Sequence, residues 1–283
     1  MYENVKYINH LNETLEAGVD NKLYINENDL HDYEWKQVSE GDKISAFEKE
    51  ITTKKLPLRI IGADITEKNS ILNKLFQLGE KDVLTMKYGR LVVGEYYLKC
   101  YLTGSSKKNY LKKALRYAED EITVTTDYPY WIKEIKYSYV VGDAPAPEGE
   151  IITTKRNLDY NYDFPIDYLS NMGSRALYNS AIVDSNFKMI IYGAVTNPQI
   201  KINGHVYQVN VALIATEYVT IDSVAKTIVK HNYDGTETNV FNLRNKESYI
   251  FERIAAGVNM LIWDGTFRFD LILYDERSEP LWT

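Results

Sequence analysis

The C-terminal third of the chain alternates between apolar and polar positions, and turn dipeptides interrupt the alternation. Three of these dipeptides are Asn203-Gly204, Asp234-Gly235 and Asp264-Gly265. Asn-Gly and Asp-Gly accept the positive φ angles that a tight two-residue hairpin turn requires. The pattern therefore predicts a series of antiparallel hairpins.

The first dipeptide fixes a register that agrees with the apolar pattern. If Asn203-Gly204 forms the turn, Ile202 lies opposite His205 and Ile200 lies opposite Tyr207. A slip of one residue would move every side chain to the other face of the sheet. One face carries the polar residues Lys201, Gln208 and Asn210. The face that we predict to be buried carries Ile200, Ile202, Tyr207, Val209, Val211 and Leu213.

The third dipeptide predicts a hairpin in the same way. With a turn at Asp264-Gly265, one face collects the apolar side chains Val258, Met260, Ile262, Phe267, Phe269 and Leu271. Strands with one apolar face pack in pairs of sheets. The pattern therefore predicts an antiparallel β-sandwich in this part of the chain.

The N-terminal half predicts short strands and one helix. The helix runs from about Thr66 to Leu78, with Asp64 or Thr66 as its N-cap and Gly79 as the glycine that ends it. One helix must cover one face of a sheet, so this half is predicted to be α+β. Gly94-Glu95 predicts a tight turn. The predicted strands are Tyr33–Val38, Ile44–Thr53, Leu56–Gly62, Leu91–Val93, Tyr96–Thr103, Leu111–Tyr117 and Glu121–Thr126.

A proline-bearing polar loop, Gly142–Gly149, separates the two patterns. Such segments mark domain boundaries because few contacts cross them. We therefore predict two domains, residues 1–138 and residues 139–283.

The composition argues against several classes of protein. The net charge is −7 and the single cysteine is Cys100, so neither a general nucleic-acid-binding surface nor an intrachain disulfide is expected. The four histidines form no ligand-spaced pair, and no phosphate-binding loop or nucleophile motif is present. We predict that the protein is not an enzyme and binds no cofactor or metal.

The N-terminus has no basic segment followed by an apolar one, and no apolar run approaches the ~20 residues of a membrane span. These features predict synthesis in a cytoplasm, without membrane insertion.

An ordered set of segments gives the chain a family resemblance. In the N-terminal half the segments are Leu56–Gly62, Lys81–Leu84 and Tyr97–Tyr101. In the C-terminal half they are Ile191–Pro198, Ile200–Gly204, Tyr218–Ser223, Asp264-Gly265 and Glu276–Trp282. With these segments the chain resembles phage distal tail proteins, the Dit-like tail components of long, flexible-tailed phages.

The resemblance implies a structural role in a virion. The domain at 1–138 would be the ring-forming, or belt, domain of a hexameric ring, and the domain at 139–283 would be a galectin-like β-sandwich. The ring would lie at the tail tip of the virion, and the protein would be synthesised in the cytoplasm of the host bacterium. Implied partners are the tail tube protein, the tape measure protein, a tail-associated lysin or spike and a receptor-binding or baseplate protein, with DNA only as cargo in the channel.

Two sets of aromatic residues are candidates for function. Tyr and Trp suit interfaces because they bury a large apolar area and keep a polar tip hydrated. The candidate residues for the oligomer interface are Tyr33, Trp35, Tyr96 and Tyr130.

The alternative to the ring is a carbohydrate-binding module on a tail or cell surface. In such a module Trp263 and Trp282 could stack on a sugar ring, or they could pack within the sandwich.

Overall fold

The structure is a computed structural model that describes residues 5–108, 116–141 and 175–282. The chain divides into two compact units, Met1–Lys133 with Glu276–Thr283, and Glu134–Asp275. The loop Gly142–Gly149 and most of the predicted strand Leu111–Tyr117 lie outside the described residues. Whether residues 1–138 and 139–283 form separate domains stays a prediction.

The first unit combines one described helix with two sheets and a separate two-stranded hairpin of Lys36–Glu40 with Lys43–Glu48. Its elements are β1 (Val5–Ile8), β2 (Thr14–Glu16), β3 (Leu23–Ile25), β4 (Lys36–Glu40), β5 (Lys43–Glu48), β6 (Thr52–Ile61), α1 (Ile65–Thr85), β7 (Gly89–Val93), β8 (Tyr96–Lys108) and β9 (Tyr117–Thr126). The chain leaves the unit within β10 (Trp131–Tyr139).

Strand β8 belongs to both sheets of the first unit. Its first half, Tyr96–Cys100, pairs with β7, and its second half, from Tyr101, pairs with β9. One sheet continues through β7 to β1 and β2, and the other continues through β9 to β6 and β3. Apolar side chains of both sheets and of α1 form one buried cluster. The predicted α+β character of this half is confirmed.

Helix α1 begins where the sequence predicts and ends later. The carboxylate of Asp64 accepts a hydrogen bond from the backbone N–H of Glu67, as an N-cap does. The helix then continues to Thr85 and ends at Met86, whose φ of 53° is left-handed. The prediction that Gly79 ends the helix is therefore wrong.

Gly79 is glycine because of packing. A Cβ atom at this position would lie 2.8 Å from the Cβ of Leu102 on β8. The absence of a side chain thus lets α1 approach the sheet closely. Close approach of two backbones is, besides a positive φ angle, a common reason for a glycine within an element.

The second unit is a sandwich of two antiparallel sheets. Its strands are β11 (Arg175–Asn179), β12 (Asn186–Tyr192), β13 (Val195–Thr196), β14 (Gln199–Ile202), β15 (His205–Gln208), β16 (Ala212–Leu213), β17 (Tyr218–Asp222), β18 (Thr227–His231), β19 (Glu237–Asn239), β20 (Gly257–Ile262) and β21 (Phe269–Arg277). One sheet has the order β19-β18-β17-β12-β21, and the other has the order β11-β20-β14-β15. The main buried cluster of the unit draws side chains from both sheets. The predicted β-sandwich is confirmed.

The hairpin at Asn203-Gly204 has the predicted register. Ile202 pairs with His205 and Ile200 pairs with Tyr207. Both turn residues have positive φ, 50° and 80°. All six side chains predicted for the inner face are buried. Turn chemistry and apolar period agree here, which is why the prediction succeeds.

The predicted hairpin at Asp264-Gly265 is wrong. Strand β20 pairs with β11 and β14, and β21 pairs with β12, so the turn joins strands of two different sheets. The face of β20 that points into the core carries Asn259 and Leu261, while Val258, Met260 and Ile262 are exposed. Apolar residues occupy both faces of this strand, so the alternation of apolar and polar residues alone indicated the wrong face as the buried one.

The hairpin at Asp234-Gly235 exists but has a longer loop than the two residues predicted. The flanking strands β18 and β19 pair up to His231 and Glu237, and the amide of Asn232 donates to the carbonyl of Thr236. Only Gly235 of the dipeptide has a positive φ, at 82°. A glycine in this conformation is typical of three-residue loops.

Candidate assembly surfaces

Three of the four aromatic residues predicted for an oligomer interface meet around one lysine. The ammonium nitrogen of Lys49 lies 5.8 Å from the ring centre of Tyr33, 4.8 Å from that of Trp35 and 4.7 Å from that of Tyr130. A cation at this distance is attracted by the quadrupole of the ring. We call these four residues the aromatic cage.

The aromatic cage lies at the base of the hairpin formed by β4 and β5. Tyr33 and Trp35 precede β4, Lys49 follows β5, and Tyr130 directly precedes β10. Lys49 also donates a hydrogen bond of 3.0 Å to the carbonyl oxygen of Pro129. The cage therefore ties both ends of the hairpin to the segment that leads into β10.

The charge of Lys49 is subject to opposing effects. Burial, which is the larger cause, and the nearby positive charge of Lys54 together lower the pKa of its ammonium group to about 8. The aromatic rings and the carbonyl of Pro129 favour the charged form instead. The protonation of Lys49 therefore depends on the cage that surrounds it.

The cage leaves aromatic surface uncovered in the described chain. Tyr33 is 55% exposed and Trp35 is 40% exposed, although both rings are held in place by Lys49. Preorganised aromatic rings of this kind are enriched at protein interfaces. The oligomer-interface role of Tyr33, Trp35 and Tyr130 stays a prediction.

Tyr96, the fourth candidate, lies in the core of the first unit. It is 5% exposed and pairs with Val93 across the turn at Gly94. Its side chain alternates in phase with those of Leu98 and Cys100, which are also buried. That period in the sequence indicates a core position, and we remove Tyr96 from the candidate interface.

The hairpin of β4 and β5 is a surface that the sequence did not reveal. We call residues 36–48 the arm. Among the described strands, β4 and β5 pair only with each other. Phe47 is 58% exposed and Ile44 is also exposed, so the arm presents apolar side chains to solvent. Isolated two-stranded hairpins are marginally stable in water, so an arm of this kind gains most from a covering partner.

A second apolar surface lies along helix α1. Phe76, Leu84 and Met86 are exposed on the helix and just after it. Next to them a groove of about 340 Å³ runs between α1 and strands β8 and β9, with Leu72 and Leu102 among its lining residues. The helix thus has one face against the core and additional apolar side chains at the surface.

The second unit also presents an apolar stripe. Val258 on β20 is 71% exposed, and Met260 and Ile262 on the same strand are exposed as well. Tyr178 lies opposite Val258 on β11 and is exposed too. Contiguous exposed apolar patches mark interaction sites more often than scattered single residues do.

The two tryptophans predicted to stack on a ligand have different environments. Trp263 is 4% exposed, and its ring makes T-shaped contacts with Tyr139 and Phe269 at 5.3 Å and 5.5 Å between ring centres. A ring packed in this way has no open face for a sugar, and we do not retain Trp263 as a candidate. Trp282 is 73% exposed and stacks on His31, with 3.9 Å between ring centres.

The described side chains show no cluster of three or more His, Cys, Asp or Glu residues that could hold a metal ion. Three of the histidines lie in separate contacts. His10 pairs with Asp82, His31 stacks on Trp282 and His231 stacks on Tyr218. In the part of the chain that the structure covers, no helix is long and apolar enough to cross a membrane.

Solved structures with the same fold come from phage tails. The chain aligns with the Dit protein of phage SPP1, described as a hub adsorption apparatus in phages that infect Gram-positive bacteria, at 7% identity and a TM-score of 0.57, covering 98% of this chain and 100% of that one. It also aligns with chains of the phage P2 baseplate in its activated conformation. With calcium the identity is 13% and the TM-score 0.61, and with strontium they are 12% and 0.62; each alignment covers 99% of this chain and 100% of the other.

By sequence, no protein-family profile and no curated protein matches the chain. The structural likeness spans both units and shows that the chain has the fold of Dit-type hub and baseplate proteins. This agrees with the resemblance to distal tail proteins found in the sequence.

Proposed function

We propose that this protein is a phage distal tail protein, a non-enzymatic structural subunit of the tail tip. The observation that carries the proposal is the likeness over 98% and 99% of the chain to proteins of phage hubs and baseplates. A shared fold alone does not establish function. The uncovered surfaces of the first unit supply the second line of support.

The first unit forms the ring in this proposal. Its arm, the open faces of its aromatic cage and the groove along α1 all expose apolar surface within one compact unit. Burial of apolar surface between subunits is favourable by roughly 25 cal/mol per Å². The arm and the groove are different surfaces, as a head-to-tail interface requires, and such an interface closes into a ring when its rotation allows.

The resemblance implies six subunits and a position at the end of the tail tube. In that arrangement the ring contacts the tail tube protein, the tape measure protein and a tail-associated lysin or spike. The net charge of −7 suits a channel through which DNA passes without adhering.

The second unit is the peripheral platform in this proposal. Its exposed stripe of Tyr178, Val258, Met260 and Ile262 is a surface for a receptor-binding or baseplate protein. Exposed apolar and aromatic side chains of this kind are typical of the centre of protein interfaces. The stripe belongs to the second unit, whereas the surfaces assigned to the ring belong to the first.

The mass of the purified full-length protein tests the ring directly. We expect light scattering to give about six times the mass of one chain at tens of micromolar, where a specific closed interface should hold. Negative-stain micrographs of the same sample should show rings with a central opening. A monomer in both measurements contradicts the proposal.

Fragments of the chain test the proposal that the first part forms the ring and the second part does not. Residues 1–138 should form the closed oligomer, and residues 139–283 should remain monomeric. Limited proteolysis of the full chain should cut first near residues 140–150. An oligomeric second fragment beside a monomeric first fragment would assign the ring to the other part.

A further inference from the structure

A pocket of about 540 Å³ opens on the first unit, beside the exposed Trp282. Its size falls within the range of small-molecule sites, ~300–1,000 Å³. The surfaces assigned to the ring and to the platform do not include its lining residues. The pocket therefore requires a separate explanation.

The lining of the pocket combines two kinds of side chain, an apolar set that we call the floor and a polar set that we call the rim. Val5, Leu23 and Ile25 make the floor apolar. The rim carries side chains with amide and carboxylate groups, which are Asn26, Glu27, Asn28 and Asp32. An apolar interior with a few polar groups at its edge is the common composition of a ligand site, since the polar groups fix the orientation of the ligand.

One wall of the pocket is an aromatic platform. The indole of Trp282 stacks on the imidazole of His31 with an interplanar angle of 19°. The Nδ1 atom of His31 lies 3.7 Å from the carboxylate of Glu279. Trp282 is therefore oriented although it is largely exposed, and an indole supported on one face leaves its other face for a ligand.

The charge of the lining selects against anions. Glu27 and Asp32 are the acidic lining residues, and the lining includes no lysine or arginine. The carboxylates of Glu27 and Asp32 would repel a phosphate or carboxylate ligand. A neutral ligand with one apolar face and several hydroxyl groups matches the aromatic wall, the apolar floor and the amide and carboxylate acceptors together.

We propose that this pocket binds a neutral saccharide, with one pyranose ring against Trp282 and its hydroxyl groups on the Asn and Asp side chains of the rim. The proposal does not depend on ring formation, because every residue it uses lies within one chain and outside the surfaces assigned to the ring. A saccharide site at this place would give the hub its own contact with a glycan surface.

Saturation-transfer NMR on the full-length protein tests the proposal with four neutral disaccharides: cellobiose, maltose, lactose and N,N′-diacetylchitobiose. At least one should bind with a dissociation constant in roughly the millimolar range, as expected for a small ligand in an open site. Trp282→Ala should weaken that binding by about tenfold or more, and Trp282→Phe, which keeps a stacking ring, should retain most of it.

Two comparisons make the test specific. Tyr233→Ala removes an equally exposed aromatic side chain from the second unit and should leave binding unchanged. The anionic 3′-sialyllactose should bind more weakly than lactose. Absence of binding by all four disaccharides, equal binding by Trp282→Ala, or a change of oligomeric mass in Trp282→Ala without a change in saccharide binding would overturn the proposal.

Discussion

The ammonium nitrogen of Lys49 lies 4.7 Å from the ring centre of Tyr130. Burial lowers the pKa of Lys49 to about 8, compared with 10.5 for an exposed lysine. Between these two values the unfolded chain holds a proton on Lys49 that the folded chain has released. Stability then rises with pH, because the unfolded state binds more protons.

We therefore expect the urea midpoint of the wild type to rise relative to that of Lys49→Met between pH 7 and pH 9.5. The variant keeps a long apolar side chain in the cage but cannot titrate, so it is the matched reference. The gain should be absent at lower pH, where Lys49 is charged in both states. A constant difference between the two proteins across this range would show that the cation–π contacts cancel the effect of burial.

The turn at Asn203-Gly204 supports a prediction about stability. Gly204 has a φ of 80°, which a β-branched residue adopts only with strain. Gly204→Val should lower the free energy of unfolding by about 1–3 kcal/mol. Lys201→Val, on the outward face of the same hairpin, is the control and should change it little. Equal urea midpoints for Gly204→Val and the wild type would contradict the assigned turn.

This hairpin shows what the sequence predicts well. The turn residues and the apolar period each determine a register, and they agree at Asn203-Gly204. The same logic failed on β20, where both faces carry apolar residues. The polar side chain of Asn259 is fully buried there because its amide donates to the carbonyls of Ala255 and Gly257 and its oxygen accepts from Asn203. These hydrogen bonds compensate for the burial of a polar side chain. They depend on neighbours in the folded structure and cannot be predicted from the alternation of apolar and polar residues.

The candidate site was predictable in part. Tyr33, Trp35 and Tyr130 were singled out by their residue type, but their meeting at Lys49 joins segments far apart in the chain. The sequence predicts strands in the arm, but it does not indicate that these two strands pair only with each other instead of joining a larger sheet. Whether a strand finds a further partner is decided by tertiary structure, which propensity does not report.

Cys100 provides a probe of global unfolding. It is completely buried, and burial raises the pKa of its thiol to about 12. Since the thiolate is the reactive form, the native protein at pH 8 should not react with Ellman's reagent. Reaction should follow the urea transition measured by circular dichroism, and Cys100→Ala should give no signal. Rapid stoichiometric labelling without urea would contradict this burial.

Asp82 on α1 holds the N-terminal strand through a buried network. Its carboxylate accepts a hydrogen bond of 2.5 Å from the hydroxyl of Tyr7 and one of 2.9 Å from the backbone N–H of His10. Removal of one partner leaves buried polar groups unsatisfied, so Asp82→Ala should cost about 3–5 kcal/mol. Its neighbour Lys81 pairs with Glu13 at the surface, and Lys81→Ala should cost less than about 1 kcal/mol. Equal losses of unfolding free energy for Asp82→Ala and Lys81→Ala in chemical denaturation would show that the buried network stabilises the fold no more than a surface ion pair does.

The arm supports the prediction that separates assembly from folding. Phe47 is 58% exposed on a strand that has no partner outside the arm among the described residues. A charge at this position costs the isolated chain little, because the side chain already contacts water. In the proposed ring the same side chain is covered by a neighbouring subunit, where an unpaired carboxylate would lose its hydration. Phe47→Glu should therefore abolish or weaken the ring and leave the unfolding transition of the monomer unchanged.

Tyr233→Glu is the matched control for this substitution. Tyr233 is more exposed than Phe47, but it lies in the loop between β18 and β19 of the second unit, which carries none of the surfaces assigned to the ring. Light scattering at several protein concentrations should show the wild-type mass for Tyr233→Glu and a reduced mass for Phe47→Glu. If both variants keep the ring, the arm is not part of the interface; if both lose it, the second unit also contributes to the interface. Only loss confined to Phe47→Glu supports an interface made by the arm, because burial of a charge is costly only where a subunit covers it.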